Sequence, residues 1–220
     1  ELYLQAKKLI LGGTGLLSKR PEMYLPDGWP SYYECAKGAQ ITDIEGNSYL
    51  DFTTNGVGTC VLGYSNDEIN QAVIEAYKKG NMTTLNPPEE VQLAERLLEL
   101  HPWAGMAKFA RTGGETCAIA ARIARVASGR TKIAVCGYHG WHDWYLALNL
   151  SKERGLDNLL LPGLDPNGIP LSLGDSILPF TYGDIRGLEQ IFSSVGNDIA
   201  AVFMEPVRGS SPAEGFLEAI

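Results

Sequence analysis

Ile199-Ala-Ala-Val-Phe-Met204 is a run of six residues without a polar side chain, ending at Glu205-Pro206. Lys132-Ile-Ala-Val-Cys136 is a second such run after its opening lysine. A strand with one wetted face alternates apolar and polar residues, so strands this uniform must be covered on both faces. Between and before them the spacing turns helical, predicting helices over 115–128 and 185–194. Met106 to Ala110 reads as a further short strand leading into the first of these. Short apolar strands separated by helices specify an α/β fold with a mostly parallel sheet flanked by helices.

The rest of the chain is organised differently. Residues 1–40 are irregular and rich in Gly, Pro and Tyr, whereas residues 39–51 alternate around Glu45-Gly46-Asn47 and predict a β-hairpin. Ser65-Asn66-Asp67-Glu68 reads as a capping box, with Ile69, Ala72, Val73, Ala76 and Tyr77 on one face of the helix it opens. Pro87-Pro88 introduces another helix over 89–100, with Val91, Ala94, Leu97 and Leu98 aligned. Residues 155–177 form a long loop of Gly, Pro and Leu. From Gly215 to Ile220 an amphipathic helix begins and stops after about one turn. The expectation is a chain cut inside a helix.

Charge and cysteine content exclude several classes. The 18 Lys and Arg stand against 26 Asp and Glu, a net charge of −8. A nucleic-acid or anionic-membrane binder needs a basic face, so neither partner is expected. No run approaches the roughly 18 apolar residues of a membrane span. Cys35, Cys60, Cys117 and Cys136 are widely spaced and form no C-x-x-C pair. Free thiols in a reducing, cytoplasmic setting are therefore expected rather than disulfides.

Four segments are candidates for chemistry. Gly13-Thr14-Gly15 begins a dinucleotide fingerprint, but Ser18 stands at the third glycine position and Pro21 ends any following helix. His139, His142 and Asp143 suggest a metal site, yet His101 is the one other histidine and no third ligand shares their face. An aromatic patch at a strand end is the reading preferred there, and no metal is expected. Arg111-Thr-Gly-Gly-Glu-Thr116 is the strongest. A strand ends there, two glycines follow, and Thr112-x-x-Glu115 caps a helix whose first N–H groups are left free. With no side chains at Gly113 and Gly114, a phosphate can approach those donors closely. Glu205 closes the last apolar strand. Ligands of open α/β sheets gather at the carboxyl ends of strands, so Thr112, Tyr138 and Glu205 are expected to converge on one crevice. That crevice would hold a phosphate at Gly113-Gly114 and an aromatic ring against Tyr138 or His139.

Taken together these residues resemble the class III aminotransferases, pyridoxal-phosphate enzymes of fold type I, and most closely the glutamate-1-semialdehyde 2,1-aminomutase branch. Gly12-Gly13 resembles the opening segment, and residues 41–52 are similar to the family's D-x-D-G-N-x-Y-x-D hairpin. Leu62-Gly-Tyr-Ser65 looks like its L-G-H-x-H-P, and Arg111-Thr-Gly-Gly-Glu-Thr116 like its N-S-G-[ST]-E-A. Tyr138-His-Gly140, Tyr182-Gly-Asp184 and Met204-Glu-Pro-Val207 complete the series in order.

The resemblance implies pyridoxal 5'-phosphate as cofactor, with Thr112, Gly113 and Gly114 at its phosphate, Tyr138 and His139 at its ring, and Glu205 near the ring edge. Gly114 stands where the family has a hydroxyl side chain, and Thr116 where it has Ala. Residues 1–60 would belong to a smaller domain and residues 61–220 would open the large cofactor-binding domain, incomplete in this chain. The lysine that carries the cofactor and the carboxylate on its ring nitrogen lie, in the family, beyond the Glu-Pro strand. No catalytic residue is therefore expected within these 220 residues, and this piece alone is expected to be inactive. The whole enzyme would be a homodimer transferring an amino group between small-molecule amine and carbonyl substrates. An intramolecular aminomutase is the first alternative, a non-catalytic phospholigand-binding module the second and a nicotinamide-dependent reductase the third. Residues 155–177 align with the mobile gate of the aminomutase branch. Leu161 to Pro170 departs from that gate, which leaves a transaminase acting on a sugar-like carbonyl equally open.

Overall fold

In the computed structural model, which describes residues 1–23, 28–150, 167–207 and 211–220, the chain falls into two units, Glu1–Glu90 and Val91–Ile220. The first begins with the helix α1 (Leu2–Leu9) and holds an antiparallel sheet of β1 (Tyr33–Lys37), β2 (Gln40–Asp43) and β3 (Ser48–Leu50), in that order. The β2–β3 hairpin is the one that the alternation over 39–51 predicts, and Gly46 takes a φ of +87° in its turn. The reading of 1–40 as irregular missed α1 and β1. α1 carries Leu2, Ala6 and Leu9 at helical spacing but buries Ala6 alone, and four of the five β1 residues are exposed.

Two further helices follow a short turn, α2 (Asn55–Gly58). The first, α3 (Asp67–Lys78), starts one residue later than the capping box places it: Asn66 is the cap, its side chain accepting from Ile69 N at 3.1 Å. Ser65 cannot cap because its φ of +50° is left-handed, whereas a capping residue is extended. Its Oγ instead accepts from Asn70 Nδ2. The second, α4 (Pro88–Leu100), begins at Pro88, whose missing N–H is unneeded in a first turn.

The second unit is built on a parallel sheet in the order β5-β4-β6. β4 (Lys132–Cys136) lies between β5 (Ile177–Pro179) and β6 (Ile199–Met204). Successive side chains of β4 point to opposite faces. Ile133 and Val135 pack with Ala121 of α5 (Gly113–Ser128), Trp144 and Tyr145 of α6 (Asp143–Leu146), and Leu148. Ala134 and Cys136 pack with Leu188 and Ile191 of α7 (Ile185–Val195). Both faces of β4 are covered, as its apolar run requires, whereas β6, at the edge of the described sheet, buries Ile199 and leaves its other residues half-buried. Burying each such Ile or Val side chain stabilises the unit by about 1.5–3 kcal/mol. The chain closes with α8 (Phe216–Ala219), where Phe216 is buried with its ring centroid 4.9 Å from that of Tyr182.

Three expectations change. Met106 to Ala110 is not a strand: it pairs with none of the described strands, and Met106 is 91% exposed. A strand needs a neighbour for its N–H and C=O groups, and side-chain pattern alone supplies none. The helix expected from 115 begins at Gly113. The loop expected over 155–177 contains a 3₁₀ turn, Leu171–Leu173, and ends where β5 starts; residues 155–166 of it lie outside the described residues. All four cysteines are free, and no described helix is long and apolar enough to cross a membrane.

Candidate cofactor site

The parallel register places Cys136 opposite Met204, so the residues that follow β4 and β6 emerge side by side at the carboxyl end of the sheet. After β4, Gly137 (φ +92°) and Gly140 (φ +98°) turn the chain around Tyr138 and His139. The buried Tyr145 holds this loop by donating from its hydroxyl to Gly137 O at 2.7 Å. Glu205 follows β6, and its Oε2 lies 3.9 Å from where a β-carbon on Gly137 would stand.

The start of α5 reaches the same loop. A β-carbon on Gly140 would stand 2.8 Å from Gly114 Cα, so two backbones pass at a distance that glycine alone allows. Thr112 caps α5 by accepting from Glu115 N at 3.2 Å. The Glu115 carboxylate accepts from Arg111 N rather than from Thr112 N, so the reciprocal half of the capping box is displaced by one residue. Capping uses the Thr112 oxygen as an acceptor and leaves the hydroxyl hydrogen to donate elsewhere. No described hydrogen bond takes up the N–H of Gly113 or Gly114, the orphan donors of a first turn.

The structure thus brings Thr112, Gly113, Gly114, Tyr138, His139 and Glu205 to one end of the second unit. Tyr138 is 38% exposed and meets Tyr145 edge-on at 5.8 Å, and its partial burial pushes its hydroxyl pKa up. His139 is turned back toward the sheet: its Nε2 lies 2.9 Å from Cys136 O, and its ring meets Tyr145 and Phe203 edge-on. Donation to that carbonyl requires the proton on Nε2. Lys132 stands at the opposite, amino end of β4 and donates to Asp175 O.

Sequence reasoning considered His142 only as a metal ligand and missed its contact with the site. Its Cε1 and Nδ1 lie 2.6 and 2.7 Å from where a β-carbon on Gly114 would stand. The pairing of a glycine at 114 with a ring 28 positions later leaves no local signature. Among the described residues, no three His, Cys, Asp or Glu side chains gather at one point. A cavity of 460 Å³ runs along α5 and α6 past Ala118, Arg122, Arg125, His142 and Trp144; His142 lines it, and none of the six residues above does.

Comparison with known proteins identifies the family. The family described as Aminotransferase class-III matches residues 27–219. The chain is 34% identical to 3-aminobutyryl-CoA aminotransferase of Cloacimonas acidaminovorans over 100% of its own length and 50% of that protein's. It is 33% identical to glutamate-1-semialdehyde 2,1-aminomutase of Thermoplasma volcanium, over 99% and 51% respectively. Among solved structures, an omega-transaminase from Sphaerobacter thermophilus superposes with a TM-score of 0.81 at 28% identity, covering 99% of this chain and 50% of that one. The FumI protein of Sphingopyxis sp. MTA144, solved with PLP, superposes at 0.79 and 28%, over 94% and 46%. The chain spans about half the length of the curated relatives it matches.

The fold is that of the type I pyridoxal-phosphate enzymes. The chain belongs to the class III aminotransferase family. Pyridoxal phosphate fits the residues present: two free N–H groups at a helix N-terminus suit its dianionic phosphate, and Gly113 faces open space, with nothing within 4 Å of where its β-carbon would stand.

Proposed function

We propose that the whole protein transfers an amino group between a small-molecule amine and a carbonyl substrate, using pyridoxal phosphate held at the carboxyl end of β4 and β6. The observation that carries this is the approach of Gly114 to Gly140, which sets a free helix N-terminus against an aromatic loop and a carboxylate. Bound pyridoxal phosphate supplies an electron sink for negative charge developing on the substrate carbon. Thr112, Gly113 and Gly114 bind its phosphate, the first with its hydroxyl and the others with backbone N–H. Tyr138 offers its exposed face to the ring. His139 fixes the loop through Cys136 O, and Glu205 orients the ring edge. The cofactor-bearing lysine and the ring-nitrogen carboxylate are assigned to the portion of the relatives that this chain does not span. Residues 1–60 are assigned to a smaller domain and 61–220 to the large one.

An intramolecular 2,1-aminomutase is the second reading, favoured by the 33% identity to such an enzyme over 99% of the chain. The protein is further proposed to be a homodimer, supported by the exposed Ile69, Val73 and Tyr77 on one face of α3, and cytoplasmic, supported by its free thiols.

A crossover experiment separates the two reactions. The whole protein is loaded with pyridoxal phosphate and given a ¹⁵N-labelled amine together with an unlabelled carbonyl acceptor. Label appearing in the acceptor establishes a transaminase, and label confined to the donor's own carbon skeleton establishes a mutase. A purified protein that retains no pyridoxal phosphate would overturn both.

A further inference from the structure

His142 is the N-cap residue of α6, yet its side chain makes no capping hydrogen bond there. The ring lies instead against the first turn of α5, in the space that any side chain at 114 would occupy. Its Nδ1 is buried and has no hydrogen-bond partner in the structure, while Nδ1 is also 3.7 Å from where a β-carbon on Gly140 would stand. A polar nitrogen removed from water without a partner is costly, so such an atom in a native fold calls for an explanation. The ring covers the first turn of α5 at Gly114, where no described hydrogen bond takes up the N–H groups of Gly113 and Gly114.

Gly114 has no side chain to offer a ligand, and a side chain there is sterically excluded while the ring is in place. The two facts are one arrangement: the imidazole stands in for the missing side chain and brings its own donor. We propose that His142 binds the cofactor phosphate through Nδ1–H, as a positioning residue of the site. The inference rests on the reading of this site as a pyridoxal-phosphate site. It requires the proton on Nδ1, which the imidazole supplies in one neutral tautomer as well as when charged. A donor fixed to a phosphate oxygen tightens retention of the phosphate end of the cofactor, and it leaves the pyridine ring's own contacts unchanged.

The test uses the whole protein and compares two probes, pyridoxal 5'-phosphate and pyridoxal, which lacks the phosphate. His142→Phe keeps a ring over Gly114 and removes the donor. Its dissociation constant for pyridoxal phosphate is expected to rise about tenfold, the loss of one hydrogen bond to a charged group, with pyridoxal binding unchanged. The ³¹P resonance of the bound cofactor should shift in the same variant. His142→Asn, whose amide nitrogen reaches a similar position, should retain most of the affinity. The double variant Gly114→Ser with His142→Ala provides an independent arm, since a hydroxyl then fits where the ring was, and it should recover affinity relative to His142→Ala alone.

Pyridoxal and pyridoxal phosphate weakened by the same factor in His142→Phe would show that the residue only supports the fold, and would overturn the proposal. Unchanged retention and an unmoved ³¹P resonance would overturn it equally. Wild-type protein that binds no pyridoxal phosphate would remove the reading of the site itself, and the role of His142 with it.

Discussion

The two units of this chain are held together by different physics. Among the described residues of the first, Ala6, Gly13 and Asp43 are the buried ones, and Asp43 is a carboxylate. It accepts from the backbone N–H of Glu45 and Asn47, from Asn47 Nδ2 and from the Tyr49 hydroxyl, fastening the turn between β2 and β3. The Asn47 side chain is the chief cause holding its pKa below the ordinary carboxylate range. A second carboxylate, Asp51, accepts from Thr53 N and from the Tyr64 hydroxyl. The second unit relies on apolar packing on both faces of β4. Directional bonds at exposed turns locate short segments, whereas close packing locates strands and hence whatever projects from their ends. The proposed cofactor site is carried by the packed unit.

Packing should therefore give the largest response to substitution. Ile133 is fully buried between α5 and α6, and Ile133→Ala should destabilise the second unit by about 2–5 kcal/mol. Hydrogen exchange read by mass spectrometry would show protection lost across β4 and β6 and retained over β2 and β3. Equal loss in both sheets would break the contrast between the units.

The glycine crossing comes next. Gly140 has a φ of +98°, and an added β-carbon would stand 2.8 Å from the Gly114 backbone, which has no flexible end to yield. Gly140→Ala should cost about 1–3 kcal/mol, from strain and overpacking together. Because the same contact sets α5 against the Tyr138 loop, cofactor retention on dialysis should fall as well. A variant that loses stability but keeps full retention would show that the crossing does not position the site.

What could be read from the sequence follows the same division. β4 and β6 were legible because their apolar runs have no polar side to hide the pattern, and α5 because Thr112 and Glu115 mark its start. The three residues of β5 were not, since Ile177-Leu178-Pro179 is too short for any period and ends in a residue that reads as loop. Met106 to Ala110 failed the other way, as composition suggests a strand that has no described partner. At the site, Tyr138 and Glu205 were legible from their position after apolar strands, and Thr112 from its capping pattern with Glu115, although the strand expected before it is absent. His142 was not, because its contact with Gly114 joins residues far apart in the chain.

The smallest expected effect concerns the part-buried polar contacts of the first unit, and pH is the means of isolating it. The Tyr64 hydroxyl donates to Asp51 Oδ2 at 2.5 Å, and this bond pushes its pKa up to about 12. Asp51 is held below its ordinary value by its bonds to Thr53 and Tyr64. A raised tyrosine pKa contributes stability that is complete below the unfolded value of about 10 and disappears between there and about 12. A lowered carboxylate pKa contributes above its unfolded value of about 3.9 and is lost as pH falls through the folded one. Tyr64→Phe should therefore cost about 0.5–1 kcal/mol at neutral pH, a charged hydrogen bond discounted for solvent screening. The gap between wild type and variant, followed by hydrogen exchange over residues 40–51 and 60–65, should be constant near neutrality. It should narrow in acid as Asp51 protonates and in strong alkali as the tyrosinate forms beside it. A gap that does not change with pH would mean that the Tyr64 ring, rather than its hydroxyl, holds this turn, and the first unit would then resemble the second.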